Sequence, residues 1–199
     1  MNHFTLLSSH RSSADRRRLS TRDLVLAGMF AAVLAVISQI SIPLPTGVPV
    51  TIQVFGIALA GSVLGWKLGC LAVLVYILLG SVGLPIFSNF SGGAQCLVGM
   101  TGGYILAWPV LAVLSGLRIK CGSPTLTFVC SAFLSVTGLM IVELAGGLQW
   151  SLLSEGMSFG AVMAYSLVAF IPKDVILTVL AVMIGAQIRR PLAKETDRR

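Results

Sequence analysis

The first half of the chain contains two long stretches without charge. No Asp, Glu, Lys or Arg occurs in residues 24–66 or in residues 68–117. A helix crosses roughly 30 Å of hydrocarbon with about 20 apolar residues, so each stretch is long enough for two crossings. Clusters of Pro and Gly at residues 43–49 and 83–103 supply the breaks, because proline removes a backbone donor and glycine loosens the chain.

The same pattern, continued to the C-terminus, predicts six membrane-spanning helices. Their predicted ranges are 23–42, 50–66, 68–84, 98–117, 125–147 and 161–187. The second and third are short and are joined by a tight turn at residues 65–67. The last is longer than one crossing requires, so we expect it to tilt or to kink at Pro172.

The composition supports a membrane protein. Apolar residues make up 56% of the 199 residues, charged residues only 11%, and the mean hydropathy is +0.93. A soluble domain carries about 25% charged residues, so a water-soluble globule is excluded. Disorder of the whole chain is excluded because it requires low hydrophobicity and high charge. We predict an all-α membrane protein with one compact six-helix bundle over residues 22–188. Basic tails flank it at residues 1–21, which we expect to be disordered, and at residues 189–199.

The positive charges predict the orientation of the bundle. All but one of the 14 Lys and Arg residues lie in the two tails or in two short loops, and the predicted outer loops 43–49, 85–97 and 148–160 contain none. Because Lys and Arg accumulate on the cytoplasmic side, we expect both termini to be cytoplasmic in the cell (plasma) membrane. This placement also argues against nucleic acid as the partner of a chain with net charge +7.

Apart from Asp23 at the first residue of span 23–42, three charged side chains fall inside the predicted spans: Glu143, Lys173 and Asp174. Such residues are costly in a bilayer and usually line a cavity or pair with one another. Neighbouring residues on a helix point about 100° apart, so we expect Lys173 and Asp174 not to pair together but to find partners on another helix or on a ligand. The alternative is a structural ion pair between helices, such as Glu143 with Lys173.

A glycine-rich segment precedes the fourth predicted span. Residues 88–93 and 99–104 combine Gly with Asn, Ser and Thr. Glycine lets the backbone approach a ligand closely, and the other three offer neutral hydrogen bonds. The segment is therefore a candidate binding loop, and the alternative is a plain exposed loop.

Small residues repeat every fourth position along the first predicted span, at Ala27, Ala31 and Ala35. Such a stripe lets another helix approach closely. The partner is either a separate subunit or another helix of the same bundle.

The proline-rich turn at residues 43–49 is followed by Thr51 and Gln53. Three prolines stiffen this turn, which we interpret as a lid over the outer helix ends. The alternative is a simple connection.

The sequence offers little for catalysis or metal binding. The four cysteines form no CxxC pair, which argues against a zinc site, and both histidines, His3 and His10, lie in the N-terminal tail. No G-x-x-x-x-G-K-[ST] motif is present, so ATP binding by this chain has no support. We expect no cofactor, no metal and no enzymatic activity.

Five motifs resemble those of the BioY family, the biotin-binding S components of energy-coupling-factor transporters. They are SQISIPLPTGVPVTIQ at 38–53, LGSVGLPIF at 79–87, FSGG at 90–93, TGGY at 101–104, and FIP at 170–172 with Asp174. The resemblance covers about residues 23–187. It implies a six-helix subunit that binds biotin from the outside and is powered by a separate T subunit and two ATPases.

The resemblance also implies roles for individual residues. Ala27, Ala31 and Ala35 would meet the T subunit, and Gln53 would lie where the outer lid re-enters the membrane. The substrate-binding set would comprise Asn89, Gly92, Gly93, Tyr104 and Asp174, together with Lys173 and Gln53. We expect Asp174 to accept hydrogen bonds from the biotin ureido N–H groups, Asn89 to serve the ureido carbonyl and Lys173 to meet the carboxylate. Family members commonly carry a Lys three residues after this Asp, where this chain has Leu177.

Three other functions remain as alternatives. The first is an S component for a different vitamin. The second is a self-sufficient proton-coupled carrier that uses Glu143 and Asp174 as relay groups. The third is an intramembrane enzyme, which lacks a convincing nucleophile–base pair.

Overall fold

The computed structural model describes residues 20–117, 119, 121–154 and 156–196, and for 190–196 it describes the backbone alone. The predicted N-terminal tail lies almost entirely outside this range. The helices, in chain order, are α1 (Thr21–Ile37), α2 (Gln53–Leu64), α3 (Trp66–Ser81), α4 (Gln95–Val98), α5 (Gly102–Gly116), α6 (Pro124–Leu153), α7 (Phe159–Ala169) and α8 (Ile171–Thr196). A 3-10 turn covers Ser88–Phe90. The predicted spans correspond to α1, α2, α3, α5, α6, and to α7 with α8.

Local chemistry fixes several helix ends. Ser20 and Asp23 form a capping box at the start of α1, and the hydroxyl of Ser123 accepts from the Leu126 N–H at the start of α6. Gly65 alone separates α2 from α3 with a φ of 86°, a conformation that glycine adopts without steric cost. The predicted tight turn is therefore present. α2 ends at Leu64, two residues before the predicted end of its span at residue 66.

A short β-hairpin is the main departure from the all-α prediction. β1 (Ser41–Ile42) and β2 (Val50–Thr51) pair antiparallel around the proline-rich turn. Accordingly α1 ends at Ile37 and not at residue 42. The residue before a proline avoids the helical conformation, so Ile42 favours an extended chain.

The prediction of an outer loop at residues 148–160 is wrong for the first half of that range. α6 continues to Leu153 because no Pro or charge interrupts it and because Trp150 is fully buried against Tyr165 and Phe170. Ring contacts of this kind add to the burial of apolar area.

The last predicted span is divided in two. α7 ends at Ala169, Phe170 lies between the helices, and Pro172 is the second residue of α8. Proline lacks an N–H and clashes with the carbonyl four residues earlier, so the break falls just before the predicted kink. α8 also continues into the segment predicted as a C-terminal tail.

The core is apolar, and much of the outer surface is apolar too. α5 packs against α2, α3 and α6, and α8 packs against α2 and α6. Large apolar side chains that remain exposed include Leu78, Val82, Phe133, Leu152, Val168 and Ile176. Pro124–Leu153 and Ile171–Arg189 are each long and apolar enough to cross a membrane. An apolar exterior of this kind matches a lipid-facing surface.

Candidate binding site

A cavity lies where β2 and the first turn of α2 meet α5, α6 and α8. Like other pockets for small ligands, it combines apolar walls with a few polar groups. Val48 and Pro49, from the proline-rich turn, form part of the wall. This position agrees with the interpretation of the turn as a cover.

Lys173 and Asp174 form an ion pair in the cavity wall. The Lys173 ammonium contacts Asp174 Oδ1 and donates to the Thr51 carbonyl at 2.7 Å. The prediction that these neighbours do not pair together was therefore wrong. Their Cα–Cβ directions differ, but the long Lys173 side chain bends towards the buried carboxylate, which is only 5% exposed. The alternative pair of Glu143 with Lys173 is not among the salt bridges of the described residues.

Two further polar groups of the wall have no partner among the described residues. Glu143 is 4% exposed, and its Oε2 makes no hydrogen bond; the buried hydroxyl of Tyr104 makes none either. The Tyr104 ring lies against Gly146, where a side chain would overlap it. Both groups line the cavity.

Gln53 is buried in the cavity wall at the start of α2. Its amide donates to the Tyr76 hydroxyl at 2.9 Å, and that hydroxyl donates to the Ile86 carbonyl, also at 2.9 Å. The predicted polar residue thus links α2 and α3 to the loop that carries Phe87 and Ser88.

The loop at residues 86–91 is held by the end of α1. The Gln39 amide N–H donates to the Phe87 carbonyl at 3.2 Å, and its oxygen accepts from the Phe90 N–H at 3.0 Å. Ser88 and Ser91 line the cavity, whereas Asn89 is exposed at a φ of 57° and accepts from the Ser41 hydroxyl at 2.8 Å. The structure therefore does not bring Asn89 into the wall.

Gly92 and Gly93 also lie outside the wall. A side chain at Gly92 would overlap the Leu84 carbonyl, and the Gly93 N–H donates to the Gly80 carbonyl at 2.7 Å. In this structure both glycines serve close packing of the loop on α3.

The alanine stripe faces the interior of the bundle. Ala27 is 1% exposed, Ala31 is 3% exposed, and Ala35 is half-buried against the core. Internal packing accounts for the burial of the first two. The neighbouring small residues Gly28 and Ala32 are exposed.

Aromatic rings make up the apolar part of the site, and the sequence prediction did not include them. Phe87 and Trp108 line the cavity with centroids 6.5 Å apart, and Phe170 closes another side. Gly80 makes room for the Phe87 ring. In so apolar a sequence, aromatic residues of the site cannot be distinguished from those of the core. For Phe87 the only signal in the sequence is its place in the LGSVGLPIF motif.

The arrangement suits a small, partly apolar ligand with several polar groups. Rings cover its body, while Gln53, Tyr104, Glu143 and the ion pair supply donors and acceptors. Among the described residues no group of three His, Cys, Asp or Glu side chains could hold a metal ion.

Comparisons with known proteins point to one family. Residues 10–194 match the sequence profile of the BioY family. A probable biotin transporter BioY of Pyrococcus horikoshii is 34% identical over 171 residues, which cover 86% of this chain and 98% of the relative. The biotin transporter BioY of Thermotoga maritima is 38% identical over 169 residues, covering 85% and 96%.

A solved structure is also similar. It is the S component for biotin from an ECF-type ABC transporter, with a TM-score of 0.74 and 26% identity over 85% of this chain and 91% of that one. The named relatives are transporters and an S component, and none of these names describes an enzyme.

Proposed function

The chain belongs to the BioY family, and from this premise we propose that it is the biotin-binding membrane subunit of an energy-coupling-factor vitamin transporter. A separate T subunit and ATPase subunits supply the power, in agreement with the missing P-loop motif. The observation that carries the proposal is a cavity in which charged, amide and hydroxyl groups meet aromatic walls.

The chemistry of biotin fits this cavity. Its ureido ring has two N–H donors and one carbonyl acceptor, and its thiophane ring and chain are apolar. Asp174 is the acidic anchor for ureido N–H groups, because hydrogen bonds to an ionised group are roughly twice as strong as neutral ones. Lys173, which contacts Asp174 Oδ1, is the counterion of this anchor. Asn89, Gly92 and Gly93 act on the ligand through the shape of their loop.

A titration tests the substrate. The full chain, purified in detergent, is titrated with biotin, thiamine and riboflavin by calorimetry. Binding of biotin with no response to the other two is the expected result. Binding of another vitamin without biotin would contradict the proposal, and uptake by this chain alone in membranes that lack ATPase subunits would favour a self-sufficient carrier.

We also propose six crossings with both termini in the cytoplasm. Support comes from the exposed apolar faces and from the absence of Lys and Arg in the outer loops. Single cysteines at Ser12 and Thr196, in a variant without the native cysteines, are expected to react with an impermeant reagent only after cells are opened. A cysteine at Pro45 in the outer turn is the control and should react in intact cells. Labelling of either terminus in intact cells would contradict the topology.

A further inference from the structure

The acidic side chain of Glu143 is the least compensated polar group in the cavity wall. It is 4% exposed, its Oε2 has no hydrogen-bond partner among the described residues, and the cavity's lysine is engaged by Asp174 and Thr51. Burying a carboxylate without a cation or hydrogen-bond donor is costly. Such a group is retained where a ligand supplies the donor.

Glu143 and Tyr104 face the same part of the cavity. Glu143 precedes Gly146 by three residues, so both lie on one face of α6, and the Tyr104 ring packs on that face at Gly146. Both side chains line the cavity together with Asp174 of α8. Three helices thus bring two carboxylates and one hydroxyl to one ligand site.

This set matches the polar groups of a cyclic urea. A ureido ring offers two N–H donors on either side of one carbonyl, and the wall offers two carboxylates and a hydroxyl that can donate. We propose that Glu143 contacts the ligand directly and accepts a hydrogen bond from one ureido N–H. Asp174 accepts from the other N–H, and the Tyr104 hydroxyl donates to the ureido carbonyl. This assignment rests on the proposed function and adds a specificity-determining residue to it.

A structural ion pair does not account for Glu143. An ion pair requires a cation, and among the described residues the lysine of the cavity wall contacts Asp174 instead. Nor does Glu143 face the carboxylate end of the ligand. A carboxylate placed against the biotin carboxylate would repel it, so its removal would strengthen binding.

Calorimetry with two ligands tests the proposal. The purified full chain and its variants E143Q and E143M are titrated with biotin and with biotin methyl ester. Because a hydrogen bond to a charged group contributes about 1.5–3 kcal/mol, E143M should weaken biotin binding about 10- to 100-fold. E143Q keeps a neutral acceptor, which makes a hydrogen bond about half as strong, so its loss should be about 3- to 10-fold. The loss for the ester should agree within about threefold, since the ester keeps the ureido ring, and E143M should lose at least as much as E143Q.

Thr178→Val is the matched control. Thr178 is also buried without a hydrogen-bond partner, but it does not line the cavity. T178V should bind biotin within about twofold of the wild type, because Thr178 does not line the cavity. Thermal melting of each variant without ligand reports whether it is folded.

Three outcomes distinguish a failure of the role of Glu143 from a failure of the proposed function. A wild-type chain that binds biotin while E143Q and E143M stay within threefold overturns the role of Glu143 and leaves the proposed function standing. So does a loss seen with biotin but absent or reversed with the ester, because it places Glu143 at the carboxylate end. A wild-type chain that ignores biotin overturns the proposed function itself, and this assignment with it.

Discussion

The described residues form two cavities of different character, at opposite ends of the same four helices. The first, with Gln53, Tyr104, Glu143 and Asp174, is the candidate binding site. The second lies where α2 and α5 end, α6 begins and α8 approaches its end. It is larger, and its wall consists of apolar side chains, hydroxyls and the Gln187 amide, with Arg189 as its charged residue.

The difference shows that volume alone does not identify a site. In the second cavity the Arg189 guanidinium donates to the Val63 carbonyl at 3.3 Å, and the Ser131 hydroxyl donates to the Thr127 carbonyl within its own helix. In the first cavity, polar groups from three helices face one another across aromatic rings. Convergent polar groups in an apolar wall provide the specificity that a large apolar space lacks.

The largest effect is expected for Asp174→Asn. The substitution removes the negative charge of the acceptor and leaves Lys173 without its counterion. A hydrogen bond to a charged group contributes about 1.5–3 kcal/mol, and the unpaired Lys173 disturbs the cavity wall as well, so biotin affinity should fall about 100-fold in calorimetry. Asp23→Asn, which alters a helix cap outside both cavities, is the control and should bind normally. An affinity of D174N within threefold of the wild type would contradict the anchor role.

A smaller loss is expected for Gly146→Ala. The new methyl group overlaps the Tyr104 ring and forces it to move, and overpacking of this kind costs about 1–3 kcal/mol. We expect biotin affinity to fall about 10-fold and the melting temperature to drop by several degrees. Gly28→Ala is the matched helical control, because nothing lies within 4 Å of its added methyl group. Equal behaviour of the two variants would show that Tyr104 does not depend on Gly146.

Gln39→Leu tests a residue that holds the loop at residues 86–91 in place but does not itself line the cavity. Gln39 joins the end of α1 to the loop at residues 86–91 through its amide N–H and its oxygen. Neutral hydrogen bonds contribute about 1 kcal/mol each, so a loss of about fivefold in biotin affinity is expected. Gln187→Leu, at an exposed position on α8 in the wall of the second cavity, should have no effect. A loss as large as that of D174N would mean that Gln39 contacts the ligand directly.

The sequence predicted the helices better than their ends. Absence of charge together with Pro and Gly breaks located the helical segments, since these features act locally. The hairpin at residues 41–51 and the continuation of α6 to Trp150 depend on distant contacts, which the local pattern does not contain.

For the candidate site, too, the sequence predicted some features and not others. Tyr104, Lys173, Asp174 and Gln53 line the cavity, and two of them, Lys173 and Asp174, were conspicuous as charged groups in apolar spans. Glu143 was equally conspicuous as the acid of its span, but the direction in which its side chain points could not be derived from the sequence. Asn89 does not line the cavity, and a polar residue beside glycines is as common in a turn as in a binding loop.

The smallest effect is expected in the second cavity, for Ser131→Phe. Ser131 lines that cavity and is half-buried, so a ring can extend into the large open space with little strain. Filling it leaves the polar groups of the first cavity untouched, and effects at separated sites without shared partners are independent. Biotin affinity should stay within about twofold of the wild type in the same calorimetric assay.

The matched variant carries the same substitution into the first cavity. Ser91→Phe places a ring in a wall that also holds Phe87 and Ser88, within a space less than half as large. Overpacking there should cost about 1–3 kcal/mol and reduce affinity about 10-fold or more. If S131F weakened binding as much as S91F, the second cavity would be coupled to ligand binding, and the independence of the two cavities would be contradicted.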